Sequence, residues 1–376
     1  MNARPAPSAD DSGDLRADLT VRRGDFTLTA DLDFAPGTVT AVLGPNGSGK
    51  STLLLALAGL VPLTSGTIRR AQHTAYPPGS TWDDVTQQVA LPSRERGVGL
   101  VLAEPLLFPH LTLRDNVAFG LRSRGTDRHT ARARAVQELH RVGLAELGDR
   151  RPPTLSTGQA ARAALARALA TDPDLLLLDE PLSALDPATR SRTRADLHHR
   201  LQDFLGATVL VTHDPLDALT LADWLVFLEH GRVVQVDTPG AAIAQPRSPY
   251  VARIVGLNLL RGRARVGRQV SVDLDGATIV TAEDPGSVAD GAALWVAVDP
   301  AAVALYDAPA QGSTRNTWPV TVLEVTVSGQ RARVGLDGPV PLIAEVTTGA
   351  VAELGLRRGR ALWAGVKATE VRTYPA

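Results

Sequence analysis

Residues 44–52 read G-P-N-G-S-G-K-S-T, entered from the apolar run Val39 to Leu43 and left through the apolar run Leu53 to Leu57. A strand must therefore turn sharply into a helix. Small residues in such a turn leave backbone N–H groups free to curl around an anion at the positive end of the helix. The spacing is that of the G-x-x-x-x-G-K-[ST] loop, the P-loop, which binds the phosphates of a nucleoside triphosphate such as ATP. Gly44, Pro45, Asn46, Gly47, Ser48, Gly49, Lys50, Ser51 and Thr52 are thus nucleotide-binding candidates. Lys50 would reach the terminal phosphates and Ser51 would ligate Mg2+. Of the 39 basic residues all but Lys50 and Lys367 are arginine. A chain that nearly always writes Arg writes Lys where a compact ammonium fits between phosphate oxygens better than a planar guanidinium does.

A length of 376 residues is enough for two or three domains with cores. The formal net charge of -1 gives no field for general nucleic-acid binding. Zero cysteines exclude disulfides, thiolate metal sites and thiol catalysis, a composition compatible with the cytosol. No apolar stretch nears the roughly 18 residues of a membrane span, so any membrane role must come through a partner. Residues 1–14, rich in Pro, Ala, Ser and Asp, are predicted to form a disordered tail rather than a signal peptide.

From residue 15 to about 245 short apolar strands alternate with helical stretches, the pattern of an α/β domain with a mostly parallel sheet. A linker is predicted over 246–260. Residues 261–376 show short Val-rich runs broken by Gly, Pro and Asp, which read as an all-β, OB-like barrel domain. That tail repeats itself: residues 291–306 and 359–374 match at seven of sixteen positions, Trp295 with Trp363 and Tyr306 with Tyr374. An Asn stands near the start of each copy, Asn258 and Asn316, so two related β units are expected.

Leu175 to Leu178 is a continuous apolar run, as a buried central strand should be, and it ends in Asp179 and Glu180. Asp179 would hold Mg2+ opposite Ser51, and Glu180 would stand where an attacking water needs a base. After Ser183-Ala184-Leu185-Asp186 and a helix, the run Thr208 to Val211 delivers Thr212 and His213 to the same sheet edge, which favours a γ-phosphate contact for His213. Ser156, Gly158 and Gln159 open a helix at Leu155-Ser156-Thr157-Gly158-Gln159, a second anion-binding end. One phosphate does not need two such ends. The economical arrangement is a head-to-tail homodimer in which one subunit's Ser156 closes over the nucleotide held by the other's Lys50.

These stretches together resemble the ATP-binding cassette family: the P-loop at 44–52, a signature LSTGQ at 155–159, LLLLDEP at 175–181, SALD at 183–186 with Asp186 as a nucleotide contact, and a switch histidine at 213. The resemblance covers residues 15–245. It implies a P-loop ATPase domain with an inserted helical subdomain at about 104–160, two ATPs sandwiched between two subunits, and docking of LFPHLTLRDNVAFG (107–120) on membrane permease subunits. Three positions depart from the family. Ala103, followed by Glu104, replaces a Gln that touches Mg2+ and the attacking water. Thr157 replaces a Gly, and a β-branched residue suits only a helix-like φ there. The aromatic that covers adenine falls at Arg23, with Phe26 nearby, so either side chain could stack on a purine.

The stretches GSTRN (312–316) and VKATEV (366–371) resemble the two signatures of molbindin-like (MOP/TOBE) β-barrel domains, which bind molybdate or tungstate. The resemblance spans 313–374 and makes Ser313, Arg315, Asn316, Lys367 and Ala368 oxyanion candidates. In the first repeat Lys367 is matched by Asp299, so the second repeat carries the expected site. Together the resemblances imply the ATPase of a molybdate- or tungstate-type importer. It would sit peripherally at the cytoplasmic face of the membrane, with a permease and, indirectly, an extracytoplasmic binding protein as partners. Import of sulfate, iron or polyamines, a weakly hydrolysing oxyanion sensor, and a non-transport cassette acting on DNA or ribosomes stay as alternatives. The near-zero charge argues against the last.

Overall fold

The computed structural model describes residues 15–70, 80–183, 185–310 and 312–376, so the tail expected at 1–14 lies outside the described residues. The chain divides into two compact units, residues 1–239 and 240–376. The stretch 246–260, read as a linker, instead carries a helix and the start of a strand and belongs to the second unit, and its apolar residues Val251 and Ala252 are buried.

In the first unit the strands are β1 Leu15–Arg23, β2 Phe26–Phe34, β3 Val39–Leu43, β4 Ser65–Arg70, β5 Thr81–Asp84, β6 Val89–Ala90, β7 Val98–Val101, β8 Leu175–Asp179, β9 Ala207–Val211, β10 Trp224–Glu229 and β11 Arg232–Asp237. They form one sheet in the order β6-β5-β4-β1-β2-β11-β10-β3-β9-β8-β7. Among the described residues five of its ten pairings are parallel and five antiparallel. The expectation of a mostly parallel sheet is therefore corrected. The physical reason is visible strand by strand. Every residue of β3 and β9 is buried, as in a parallel strand covered on both faces. β1 and β2 instead alternate buried and exposed residues, as a one-sided antiparallel ribbon does. The two halves are joined by one register pair, Arg232 with Thr29.

The helices of this unit are α1 Lys50–Leu57, α2 Leu113–Ser123, α3 Arg128–Arg141, α4 Thr157–Leu169, α5 Pro187–Gln202 and α6 Pro215–Leu221. α2, α3 and α4 share a separate core of Leu113, Val117, Leu139 and several alanines, small enough to let the helices approach closely. Buried Asn116 on α2 pins the preceding loop: its Oδ1 accepts from the Phe108 N–H at 2.8 Å, and its amide donates to the carbonyls of Phe108 and Thr112. Buried Glu138 on α3 is paired with Arg134, Arg141 and Arg200, the last from α5.

The second unit adds α7 Pro239–Ala244, which starts at the division, then α8 Pro249–Val255 and α9 Thr348–Glu353. Its strands are β12 Asn258–Val266, β13 Val270–Leu274, β14 Ala277–Val280, β15 Ala293–Val298, β16 Ala304–Tyr306, β17 Asn316–Ser328, β18 Arg331–Asp337, β19 Leu342–Thr347, β20 Ala361–Val366 and β21 Val371–Pro375. They make two sheets, β14-β13-β12-β15-β21 and β16-β20-β17-β18-β19, over one shared core. The internal repeat is real in three dimensions, and each copy lends its last strand to the other's sheet. β21 pairs with β15 so that Trp295 faces Tyr374, and β16 pairs with β20 so that Tyr306 faces Trp363.

The two repeat asparagines make the same exchange. Asn258 Oδ1 accepts from the Ile343 N–H at 2.7 Å while its amide donates to the Ile343 carbonyl at 2.9 Å. Asn316 does likewise with the N–H and carbonyl of Val280, at 2.7 and 2.9 Å. Each clasps an edge strand of the opposite sheet. Removing a buried group that satisfies two backbone atoms leaves both unpaired, so Asn316→Ala is expected to lower stability by about 1–3 kcal/mol. Denaturant unfolding of the full chain checks this, and an unchanged midpoint for Asn316→Ala would show that the clasp carries no weight.

Candidate active site

β3, β9 and β8 lie side by side and parallel, with Val42 opposite Val211 and Val211 opposite Asp179. Their C-terminal ends therefore bring the 44–52 loop, Thr212-His213 and Asp179-Glu180 to one edge of the sheet. The loop is tightly built: a Cβ on Gly44 would lie 2.1 Å from the Leu228 carbonyl oxygen, and Gly49 caps α1 at φ 107°, a left-handed conformation open to glycine. Gly231, in the turn between β10 and β11, donates its N–H to the Ser48 carbonyl at 3.1 Å and braces the loop from outside.

Lys50 is 8% exposed, and its ammonium donates to the carbonyls of Gly44 at 2.8 Å and Pro45 at 3.0 Å. Burial pushes its pKa down, while the Glu180 and Asp179 carboxylates pull the other way. Asp179 accepts a hydrogen bond from the Ser51 side chain. Burial raises its pKa above the ordinary value, opposed by that bond and reinforced by Glu180. Glu180 sits at φ 48°, a left-handed conformation that is strained for a residue with a side chain. It is held there by its N–H to the Val211 carbonyl at 2.9 Å and by the Ser183 N–H and hydroxyl on its own carbonyl at 3.1 and 2.9 Å. His213 Nδ1 lies 3.2 Å from Glu180 Oε2.

The loop fits phosphate oxygens. Ser48 Oγ is buried and has no hydrogen-bond partner among the described residues. A Cβ on Gly47 would meet nothing within 4 Å. Ser51 and Asp179 supply oxygen atoms of the kind Mg2+ takes. Among the described residues no cluster of three His, Asp or Glu side chains could hold a metal by itself.

The remaining candidates fall elsewhere. Ser156 caps α4 in a capping box with Gln159, Oγ to the Gln159 N–H at 3.3 Å and Gln159 Oε1 to the Ser156 N–H at 3.0 Å. No hydrogen bond or ion pair among the described residues ties this end to Lys50 or Glu180. Thr157 is the first helical residue with no positive φ, so its β-branch is accommodated. Gly158 packs against Leu185 and Thr189, and Asp186 caps α5 through the Thr189 N–H at 3.1 Å. Ala103 and Glu104 are exposed residues following β7. Phe26 lines a pocket of about 370 Å³ with Gly47, Asp25, His230 and Arg232, whereas Arg23 is exposed and does not line it. Sequence reasoning missed His230 and Arg232, because only the β10–β11 pairing brings that hairpin against the loop.

In the second unit one member of the expected oxyanion set is spent elsewhere. Both polar atoms of the Asn316 side chain are used by Val280 and the residue is 2% exposed, so its predicted role is overturned. Ser313 and Arg315 are exposed. Lys367, followed by Ala368 in a short 3-10 turn, lines a pocket of about 390 Å³ with Thr314, Tyr306, Asp299 and Glu370. One ammonium there stands against two carboxylates, a balance that opposes a dianion.

A buried lysine in a glycine-bound loop, a carboxylate beside its serine, and a second carboxylate backed by histidine at the same sheet edge define a P-loop nucleotide hydrolase. The family model described as "ABC transporter" matches residues 28–183, and that described as "TOBE domain" matches 312–373. The chain is 39% identical over 370 residues to the molybdenum import ATP-binding protein ModC of Mycobacterium tuberculosis, covering 96% of this chain and 97% of that one. It is 37% identical over 367 residues to the sulfate/thiosulfate import ATP-binding protein CysA of the same organism, covering 94% and 92%. Among solved structures, the dimeric post-hydrolysis state of the ATP-binding cassette MJ0796 bound to ADP and Pi matches at TM-score 0.50 and 26% identity, over 60% of this chain and 98% of that one. The chain belongs to the ABC transporter family and is an ATPase coupled to transmembrane transport, with a TOBE domain behind it.

The raised pKa of Asp179 sets a pH dependence. Its carboxyl holds a proton to higher pH in the folded than in the unfolded chain. Ionised Asp179 therefore opposes folding, an effect that sets in above the ordinary value of 3.8 and is complete once the pH has passed the folded value. Without nucleotide, Asp179→Asn is expected to unfold at a higher temperature than the parent at pH 7, with the gain gone below the ordinary value of 3.8. Calorimetry across pH measures this. A lower midpoint at pH 7 would mean that the charge stabilises the site.

Proposed function

We propose that two copies of this chain close head-to-tail on two ATPs and power import of an oxyanion, molybdate or tungstate, through a separate permease at the cytoplasmic face of the membrane. The observation that carries the catalytic half is the Glu180–His213 pair, 3.2 Å apart, at the sheet edge that also holds Lys50 and Asp179. Mg·ATP, held by the 44–52 loop with Ser51 and Asp179, supplies the phosphoryl group and the charge neutralisation that its transfer needs. Lys50 neutralises phosphate oxygens. Glu180 orients the attacking water and takes its proton, and His213 holds the Glu180 carboxylate in place. The Ser156 end of α4, a second helix N-terminus suited to an anion, supports its use across the dimer.

Entry to the permease is supported by a groove of about 710 Å³ lined by Leu100, Leu106, Phe108, Phe119 and Arg167. Leu106 and Phe119 are exposed, and Arg167 donates to the Leu106 and Pro105 carbonyls to shape its rim. No helix among the described residues is long and apolar enough to cross a membrane, so the spanning segments of the transporter are assigned to the partner.

The choice of molybdate rests on likeness along both units to a molybdenum import protein. The likeness to sulfate importers of similar extent supports sulfate, another tetrahedral dianion, as the second reading. Asp299 and Glu370 in the Lys367 pocket support a reading in which ion selection falls to the permease and its external binding protein.

Glu180→Gln is expected to lower kcat by about 100- to 10,000-fold, the range for loss of a general base, with ATP still bound. An unchanged basal rate would remove Glu180 from that role. With permease and binding protein in vesicles, ATP turnover is expected to rise with molybdate or tungstate and not with sulfate. Stimulation by sulfate alone would transfer the assignment to the second reading.

A further inference from the structure

Glu180 and His213 come from different strands, and their contact is closed by a ring of bonds that passes through a residue with no place in the mechanism above. Ser183 holds the Glu180 carbonyl through its N–H and hydroxyl. The Ser183 carbonyl accepts from Arg190 at 3.1 Å, and the Leu182 carbonyl beside it accepts from the same guanidinium at 3.0 Å. A third nitrogen of Arg190 reaches Asp214 Oδ2 at 2.9 Å. Asp214 is the residue after His213, and its other oxygen caps α6 through the Leu216 N–H at 2.8 Å. His213 then returns to Glu180 Oε2.

We infer that Arg190 is a positioning residue for ATP hydrolysis: it ties the turn after the Glu180 strand to the turn carrying His213, and so fixes the histidine on the carboxylate. Three of its nitrogens point to three acceptors at once in a fixed planar fork, which an ammonium, one nitrogen on a flexible stem, matches only in part. Arg190 and Asp214 are 22% and 21% exposed, so their bond is sheltered enough to hold geometry. Arg194 adds a second cation to the same carboxylate at 3.7 Å and is itself fixed by Asp217 at 2.6 Å, so the Asp214 side of the ring is anchored on α6 as well. The strained φ of Glu180 gives the ring something to restrain, since a left-handed residue relaxes when its neighbours release it.

The inference rests on the roles proposed for Glu180 and His213, and the experiment separates the two. Steady-state ATP hydrolysis is measured with the full chain for Arg190→Met, Arg190→Lys, Asp214→Asn, His213→Ala and Glu180→Gln, and for Arg190→Met combined with His213→Ala. Arg190→Met is expected to lower kcat between about 10- and 100-fold, the effect of misplacing a reacting group, with KM for ATP within about twofold, because ground-state binding is untouched. Arg190→Lys should recover part of the rate. Asp214→Asn, which keeps the oxygen that caps α6, should match Arg190→Met, and it carries the test if the latter does not fold. In the His213→Ala background Arg190→Met should cost nothing further. The inference is overturned if KM rises in step with the fall in kcat, if the two substitutions are additive, or if Asp214→Asn retains the parent rate. If Glu180→Gln and His213→Ala themselves hydrolyse normally, the catalytic roles fail instead.

Discussion

Everything at the hydrolytic site depends on three parallel strands sharing one register. With β3, β9 and β8 in line, the residues just past Leu43, Val211 and Leu178 arrive at one edge, and no side chain has to reach far. The strands are parallel because they are apolar throughout and buried on both faces, and a helix follows each of them. Their hydrophobic content thus does two tasks: it forms the core, and it sets charged residues at the edge where the strands end. Lys50, Asp179 and Glu180 are consequently half-desolvated neighbours. Burial at that edge is the main reason why Lys50 and Asp179 both titrate away from their ordinary values.

α5 connects this edge to more distant parts of the first unit. Its N-terminal half holds Asp214 and Asp217 through Arg190 and Arg194, and its C-terminal half sends Arg200 to buried Glu138 in the helical subdomain. A carboxylate that is 1% exposed is tolerable only with such partners. One helix therefore touches both the loop of His213 and the group of helices that carries the exposed Phe119. The second unit is built on a different device, mutual exchange. Its repeats swap a terminal strand and an asparagine clasp, so neither half has a complete sheet or core alone.

Much of the site was legible in the chain. Gly44–Thr52, the run ending in Asp179-Glu180, and His213 after Val211 were placed at one sheet edge from apolar runs alone, since a buried parallel strand is continuous in sequence and its end is abrupt. The repeat was legible through Trp295, Trp363, Tyr306 and Tyr374. Other features were not. The sheet was expected to be mostly parallel although β1 and β2 alternate as a one-sided antiparallel ribbon does, and β4, β5 and β6 are too short to show a pattern. Asn316 was read as a ligand because a polar residue in a signature stretch looks available until its partner strand is known. Arg190, one arginine among many, had no local mark at all.

By itself the sequence determined which segments are buried strands, where a phosphate loop must turn, and which charged residues stand at strand ends, because burial and turn chemistry are local properties. Only the tertiary structure decided which strands are neighbours. It thereby decided that Glu180 meets His213, that the hairpin at His230 and Gly231 braces the loop, that Arg190 closes the ring, and that Asn258 and Asn316 are spent on backbone rather than on an anion. Those outcomes depend on pairings between residues far apart in the chain, and strand order is set by how whole faces pack rather than by any one stretch of sequence.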